Sequence, residues 1–283
     1  MPTKIPPIIQ PHELVTLTQN KPVIIIDASA GPGAYERYLN QHLSGALYVN
    51  LNTHLAGVHE DAANGGRHPL PSINKFAEVL GSFGISAQSH VVVYDDKNGA
   101  NAAARFWWML RAVGHIKVQL LNGGMAAAVK AGFAVGKGEE VPARVQDYTV
   151  TQWLLPTVTI DEVETSAADS KYLLIDVRDA DRYNGLTEPI DLVAGHIPGA
   201  VNIPFATNLD ADGLFLSATA LKEKYTAALA GIVPNNVIVH CGSGVTACHT
   251  LLAIDHAGLG IPKLYVGSWS EWSRSSRKIA PQV

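Results

Sequence analysis

The chain carries two cysteines, and the first sits in the run Val237-Ile238-Val239-His240-Cys241-Gly242-Ser243-Gly244-Val245-Thr246-Ala247-Cys248. A β-branched stretch ends at Cys241, and glycines alternate with hydroxyl residues directly after it. An apolar stretch from Leu251 to Ala257 then stops at Gly258, a helix-ending residue. The pattern predicts strand, tight loop and helix, with Cys241 where the strand stops. In that geometry successive backbone N–H groups and a helix N-terminus face one sulfur atom. Such a field favours thiolate over thiol and makes the cysteine a nucleophile. Gly242 and Gly244 let the backbone curl closely around an anion, with Val245 completing the loop. The plainer alternative, a small core cysteine after a buried strand, does not call for such a loop.

Three cysteine chemistries compete. A phosphatase loop needs an arginine six residues after the cysteine to grip phosphate bidentately, and that position is Ala247. A thioredoxin-like pair needs Cys-x-x-Cys, whereas Cys248 stands too far along, about two turns down the expected helix. A papain-like pair stays open, since any of the 11 histidines could approach, although it has no use for an anion cradle. Ser243 and Thr246 each place a hydroxyl beside Cys241. They could cap the helix, or donate to the sulfur anion or to a substrate carbonyl as charge develops there. The two roles can coexist.

The elements that position these residues occur twice. Val91-Val92-Val93-Tyr94-Asp95 followed by a helical stretch from Ala102 to Val113 mirrors the cysteine strand and its helix. Each half has an apolar strand ending in aspartate, Ile24 to Asp27 and Leu173 to Asp176. Each also has a histidine turn, His42 to Ala46 and His196 to Ala200, and a late glycine turn, Asn122 to Met125 and Val266 to Trp269. Strands alternating with helices imply two tandem α/β domains, each a mainly parallel sheet flanked by helices. With 283 residues the chain has room for both. We place a non-catalytic domain at 1–140, a linker at 141–156 and the catalytic domain at 157–283. The linker has proline near each end and no helical period. Trp153 within it is expected either to pack between the domains or to serve as plain core. Phe106, Trp107 and Trp108 are expected in the core, and Asp95 is expected to cap its helix, since a carboxylate offers no thiolate nucleophile. Recurrence of His42 and His196 in both halves points to a role in the fold.

Composition excludes several classes. A net charge of −4 without a basic block gives no footprint for nucleic acid. The longest apolar runs are strand-sized, so no membrane span is expected, and the first residues show no continuous apolar segment of a secretory signal. Two cysteines make no disulfide framework, and a free reactive thiol suits a reducing compartment, so the cytoplasm is expected. No Cys/His spacing suggests a metal and no glycine-rich loop suggests a nucleotide, so no cofactor is expected.

Four motifs, in order, resemble the two-domain sulfurtransferases, the rhodanese and 3-mercaptopyruvate sulfurtransferase family. They are Asp176-Val177-Arg178 with Arg182-Tyr183, Gly195-His196-Ile197-Pro198-Gly199-Ala200, the Cys241 loop, and Gly267-Ser268-Trp269-Ser270-Glu271-Trp272. The resemblance covers nearly the whole chain and implies tandem rhodanese-like domains. It implies a Cys241 persulfide that takes sulfur from a small donor and yields it to cyanide, a small thiol or thioredoxin. By the same resemblance Arg182 falls on the family's substrate-binding arginine, with Arg178 as a weaker candidate. The family's second carboxylate-binding arginine is unmatched, because the text reads Glu188-Pro189-Ile190-Asp191. His68 aligns with a relay histidine, but the relay aspartate reads Asn52, which cannot carry the compensating charge. Thiosulfate-preferring members carry two cations in the loop, whereas this loop is neutral, which implies 3-mercaptopyruvate as the preferred donor. Thiosulfate as donor, or a non-catalytic persulfide-relay module, are the alternative readings.

Overall fold

The computed structural model describes residues 5–146 and 148–280. The chain divides into two compact units, the first made of residues 1–56 and 71–154, the second of residues 57–70 and 155–283. The short segment 57–70 thus belongs to the second unit although it lies in the first half of the sequence.

In the first unit five strands form one sheet in the order Leu47–Tyr48, Ile24–Asp27, Val91–Tyr94, Val118–Leu121 and Ile8–Ile9. Every neighbouring pair is parallel. The second unit repeats the order with Val201–Asn202, Leu173–Asp176, Val237–His240, Lys263–Tyr265 and Thr157–Val158, again all parallel. The central strands, Val-Val-Val-Tyr and Val-Ile-Val-His, are buried along their whole length. Helices cover both faces of such a sheet, which is why these strands read as unbroken apolar runs rather than as alternations. The tandem α/β reading holds.

The register aligns the two halves residue by residue. Asp27 pairs with Tyr94, and Asp176 with His240, so Asp95 and Cys241 are each the first residue beyond the central strand. In each sheet the chain leaves the aspartate strand on one side and returns on the other. The crevice at such a reversal is where open α/β sheets bind ligands.

The repeated histidines serve the fold in the same way. His42 Nδ1 contacts the Tyr38 carbonyl at 2.8 Å and its ring stacks on Tyr38, while the Tyr38 hydroxyl donates to the Ala46 carbonyl. His196 Nδ1 contacts the Tyr183 carbonyl at 2.9 Å, its ring stacks on Tyr183, and that hydroxyl donates to the Ala200 carbonyl. Phe106, Trp107 and Trp108 are fully buried on the Ala103–Ala112 helix. Trp153 stacks on Trp108 and packs at a tilt against Phe76 inside the first unit. Within 141–156, Val145, Tyr148 and Leu154 donate backbone hydrogen bonds to Gly81, Ala77 and Ala112, so this stretch is laid along the first unit.

Candidate active site

Cys241 is a free thiol, 3% exposed, between the Val237–His240 strand and the Ala247–His256 helix. Its backbone is clamped by the late glycine turn. Cys241 N donates to Ser268 Oγ at 3.2 Å, and the Cys241 and Gly242 carbonyls accept from Trp269 N and Ser270 N. Gly244 has φ +72° and packs so closely on Val266 that a Cβ would lie 2.4 Å from its carbonyl oxygen. Only glycine suits both demands. Val245 is buried in the same loop. Thr246 has helical φ and ψ and its hydroxyl makes no capping hydrogen bond, which removes the capping role. Cys248 lies in the first turn of the helix, not two turns down it, and its buried Sγ donates to the Gly244 carbonyl at 3.4 Å.

Ser243 and His68 meet: Nδ1 lies 2.8 Å from Oγ. The segment bearing His68 is fixed by its own contacts. Gly65 N donates to Glu271 Oε1 and Arg67 N to Ser270 Oγ. At Gly66, φ is +82° and a Cβ would come within 2.4 Å of the Gly267 carbonyl oxygen. Asn52 is exposed in the first unit, its backbone N–H bound by the Asn50 side chain.

The two arginines after Asp176 differ. Arg182 gives Nε and Nη2 to Glu188 at 3.2 and 2.7 Å, and its guanidinium borders Gly242. Arg178 is 3% exposed and fully engaged. It donates to Asp176, Glu188 and the Gly195 carbonyl, and its guanidinium lies over the Trp269 ring. The expectation that Arg178 binds substrate therefore has no support in this geometry, which makes it a buried strut. Burial pushes the Asp176 carboxyl up, but the neighbouring His240 and the charge and hydrogen bonds of Arg178 together outweigh it and hold the group below its ordinary range. Burial pushes the His240 imidazole down. Among the described residues no group of three or more His, Cys, Asp or Glu is placed to hold a metal ion. No helix among them is long and apolar enough to cross a membrane.

A family model described as "Rhodanese-like domain" matches residues 10–131 and again 159–275. The chain belongs to the two-domain sulfurtransferases of the rhodanese family. It is 39% identical, over 89% of its length and 87% of the relative's, to a Pseudomonas aeruginosa protein named "Probable 3-mercaptopyruvate sulfurtransferase". It is 35% identical over 88% of its length to thiosulfate sulfurtransferase of Gallus gallus, of which it covers 85%. Among solved structures it is similar to a 3-mercaptopyruvate sulfurtransferase from Leishmania major, with TM-score 0.82, 28% identity, and coverage of 96% of this chain and 75% of that one. Relatives named for both donors occur, so similarity alone does not choose between them.

For this sulfurtransferase the sequence motifs converge at one place: the Cys241 loop, the Gly267–Trp272 turn and Arg182. Arg67, which the sequence reading did not single out, also borders the loop: a Cβ on Gly242 would lie 3.3 Å from its Nη2. No spacing rule ties an arginine beside His68 to a cysteine far along the chain.

Proposed function

We propose that this sulfurtransferase takes sulfur from 3-mercaptopyruvate and holds it on Cys241 as a persulfide. The observation that carries the reading is the 2.8 Å contact between His68 Nδ1 and Ser243 Oγ, two residues past Cys241 in a loop without cations. With Nδ1–H donating to Oγ, the serine hydroxyl is free to donate to a substrate oxygen. Cys241 Sγ attacks the donor sulfur, the new S–S bond forms, and the carbon–sulfur bond breaks. The electron pair passes to the methylene carbon and the adjoining ketone oxygen, giving an enolate that takes a proton and leaves as pyruvate. Ser243 donates to that oxygen as its charge grows, the type of contact whose removal costs about 3 kcal/mol elsewhere. Arg182 receives the donor carboxylate, and a planar guanidinium suits that group. A second nucleophile (cyanide, a small thiol or thioredoxin) then attacks the outer sulfur and restores Cys241. Two free cysteines suit a reducing compartment such as the cytoplasm.

A side-by-side measurement of kcat/KM with 3-mercaptopyruvate and thiosulfate tests the reading, since the ratio compares transition-state binding. We expect the higher value for 3-mercaptopyruvate. A higher value for thiosulfate overturns the donor assignment and leaves the persulfide route intact; no turnover with either favours a relay module.

A further inference from the structure

The place that the Arg178 guanidinium fills in the second unit is lined by a cavity in the first. Ser29 stands where Arg178 stands: Ser29 N donates to Asp27 Oδ1 at 2.9 Å, as Arg178 N donates to Asp176 Oδ1 at 3.0 Å. Three of the groups around the Arg178 guanidinium are the Asp176 carboxylate, the Gly195 carbonyl and the Trp269 ring, whose centroid is 4.6 Å away. Each has a counterpart in the first unit. Asp27 matches Asp176 in the register of the sheets. Gln41 precedes His42 as Gly195 precedes His196. Gly124 and Ser268 share a positive φ, +59° and +55°, so Met125 leaves its turn as Trp269 does. Asp27, Ser29, Gln41 and Met125 all line one cavity of about 480 Å³. A serine side chain is too short to fill it.

We propose that this cavity is a binding site for a guanidinium compound, whose planar fork meets the Asp27 carboxylate as the Arg178 guanidinium meets Asp176. The second unit shows which group the surroundings suit, and the first unit supplies no such group of its own. Asp27 is 4% exposed, and among the described residues no cation is ion-paired with it. Burial raises its carboxyl, whereas Asp176, with Arg178 beside it, is held low. A bound cation would give Asp27 the partner that Asp176 already has. Arg37, also in the lining, does not take this part. Its Nη2 donates to Asp96 Oδ2 at 2.8 Å and its Nη1 to the Pro32 carbonyl at 2.9 Å. Nor does Asp95 compete for the ligand, since four backbone amides occupy its carboxylate. A guanidinium suits the site better than an ammonium, because its two parallel N–H groups match the edge of a carboxylate and its flat faces tolerate apolar neighbours such as Met125.

The test is a titration of the full chain followed by backbone amide NMR. Methylguanidinium chloride at millimolar concentration should move the amides of Ser29, Gln41 and Met125 in a saturable way. It should leave those of Arg178, Gly195 and Trp269 in place, where the protein provides its own guanidinium. N-methylurea, neutral and of similar shape, should move none of them. Asp27→Asn should weaken binding about tenfold or more, the size of one lost charged contact. Ser29→Arg brings a guanidinium into the cavity and should abolish binding, which also covers the case in which the asparagine variant fails to fold. The peptide acetyl-Gly-Arg-Gly-amide is the second probe, because an arginine side chain of another protein carries the same group. Saturable shifts with both probes sustain the site and make its ligand an arginine side chain; shifts with methylguanidinium alone sustain it and make the ligand a free compound. Unmoved amides around the cavity, equal shifts with N-methylurea, or unchanged affinity in folded Asp27→Asn or Ser29→Arg overturn the proposal.

Discussion

The Asp95 loop and the Cys241 loop begin at the same point of the same sheet and put that point to opposite uses. In the first unit the anion is built in. Asp95 Oδ1 accepts from the amides of Lys97 and Gly99, and Oδ2 from those of Asn101 and Ala103. Burial outweighs the pull of these amides and pushes its carboxyl up to about 6, still below neutral, so at pH 7 a carboxylate fills the loop. In the second unit a thiol stands there, and the loop is held from outside by Ser268, Trp269 and Ser270. The aspartates at the neighbouring strand ends diverge in the same way. Asp27 bonds the backbone of Ser29 and is raised by burial, whereas Asp176 is gripped by Arg178 and lowered. A loop that carries its own anion has a finished structure; a loop braced from outside keeps its first side chain for chemistry.

The largest test of that contrast is to exchange the side chains. Cys241→Ser should abolish both turnover and the gain of one sulfur mass on treatment with donor. Asp95→Cys should gain no sulfur at position 95, because its loop is held by the four amide bonds to the carboxylate, which a cysteine cannot replace. A sulfur adduct at position 95, read by mass spectrometry, would show that the nucleophile alone separates the two loops.

Next in size is the strut. Arg178→Ala leaves Asp176 as a buried charge without its partner and should cost about 3–5 kcal/mol of stability, measured by urea unfolding. Ser29 stands at the matching place in the first unit; Ser29→Ala keeps the backbone bond to Asp27 and removes only the one from the hydroxyl, so it should cost less than about 1 kcal/mol. Equal losses would erase the distinction between the two aspartates.

Asp95→Ala strips four amides of their acceptor and should cost about 2–3 kcal/mol, while kcat of the folded enzyme stays near that of the parent. A large fall in kcat would give the first loop a part in the reaction.

The smallest effect depends on pH. His240 occupies the register position that Tyr94 holds in the first unit. Because burial lowers its folded pKa, the unfolded chain binds the proton more readily. Its contribution to stability is thus complete above about pH 6.5 and is lost as pH falls below that value. His240→Asn should flatten the loss on acidification; an unchanged slope would show that His240 does not titrate in this range.

Much of this was legible in the sequence because it is local. The strand ending at Cys241, the glycines after it and the duplicated histidine turns each declare themselves within a dozen or so residues. Burial and distant pairing were not legible. Arg178 and Arg182 look alike beside Asp176, yet the first is sealed under Trp269 and the second borders Gly242. Thr246 reads as a cap until its backbone proves already helical. Segment 57–70 has no periodicity to place it, and only its contacts with Ser243, Ser270 and Asp191 bring Arg67 and His68 to the cysteine.

That segment also limits how the molecule can be divided. His68 and Ser243 are 175 positions apart, and Arg67 and Ser270 are 203 apart. Contacts of such separation form late, after most of the chain has been made and its intervening length closed into a loop. During synthesis segment 57–70 emerges long before Cys241, so it lacks its partners in the second unit until they too have been made. The duplicated domains look like interchangeable modules, but a gene fragment starting at the second would encode the cysteine without Arg67 and His68. Natural shuffling of the later half alone would move a nucleophile and leave its neighbours behind.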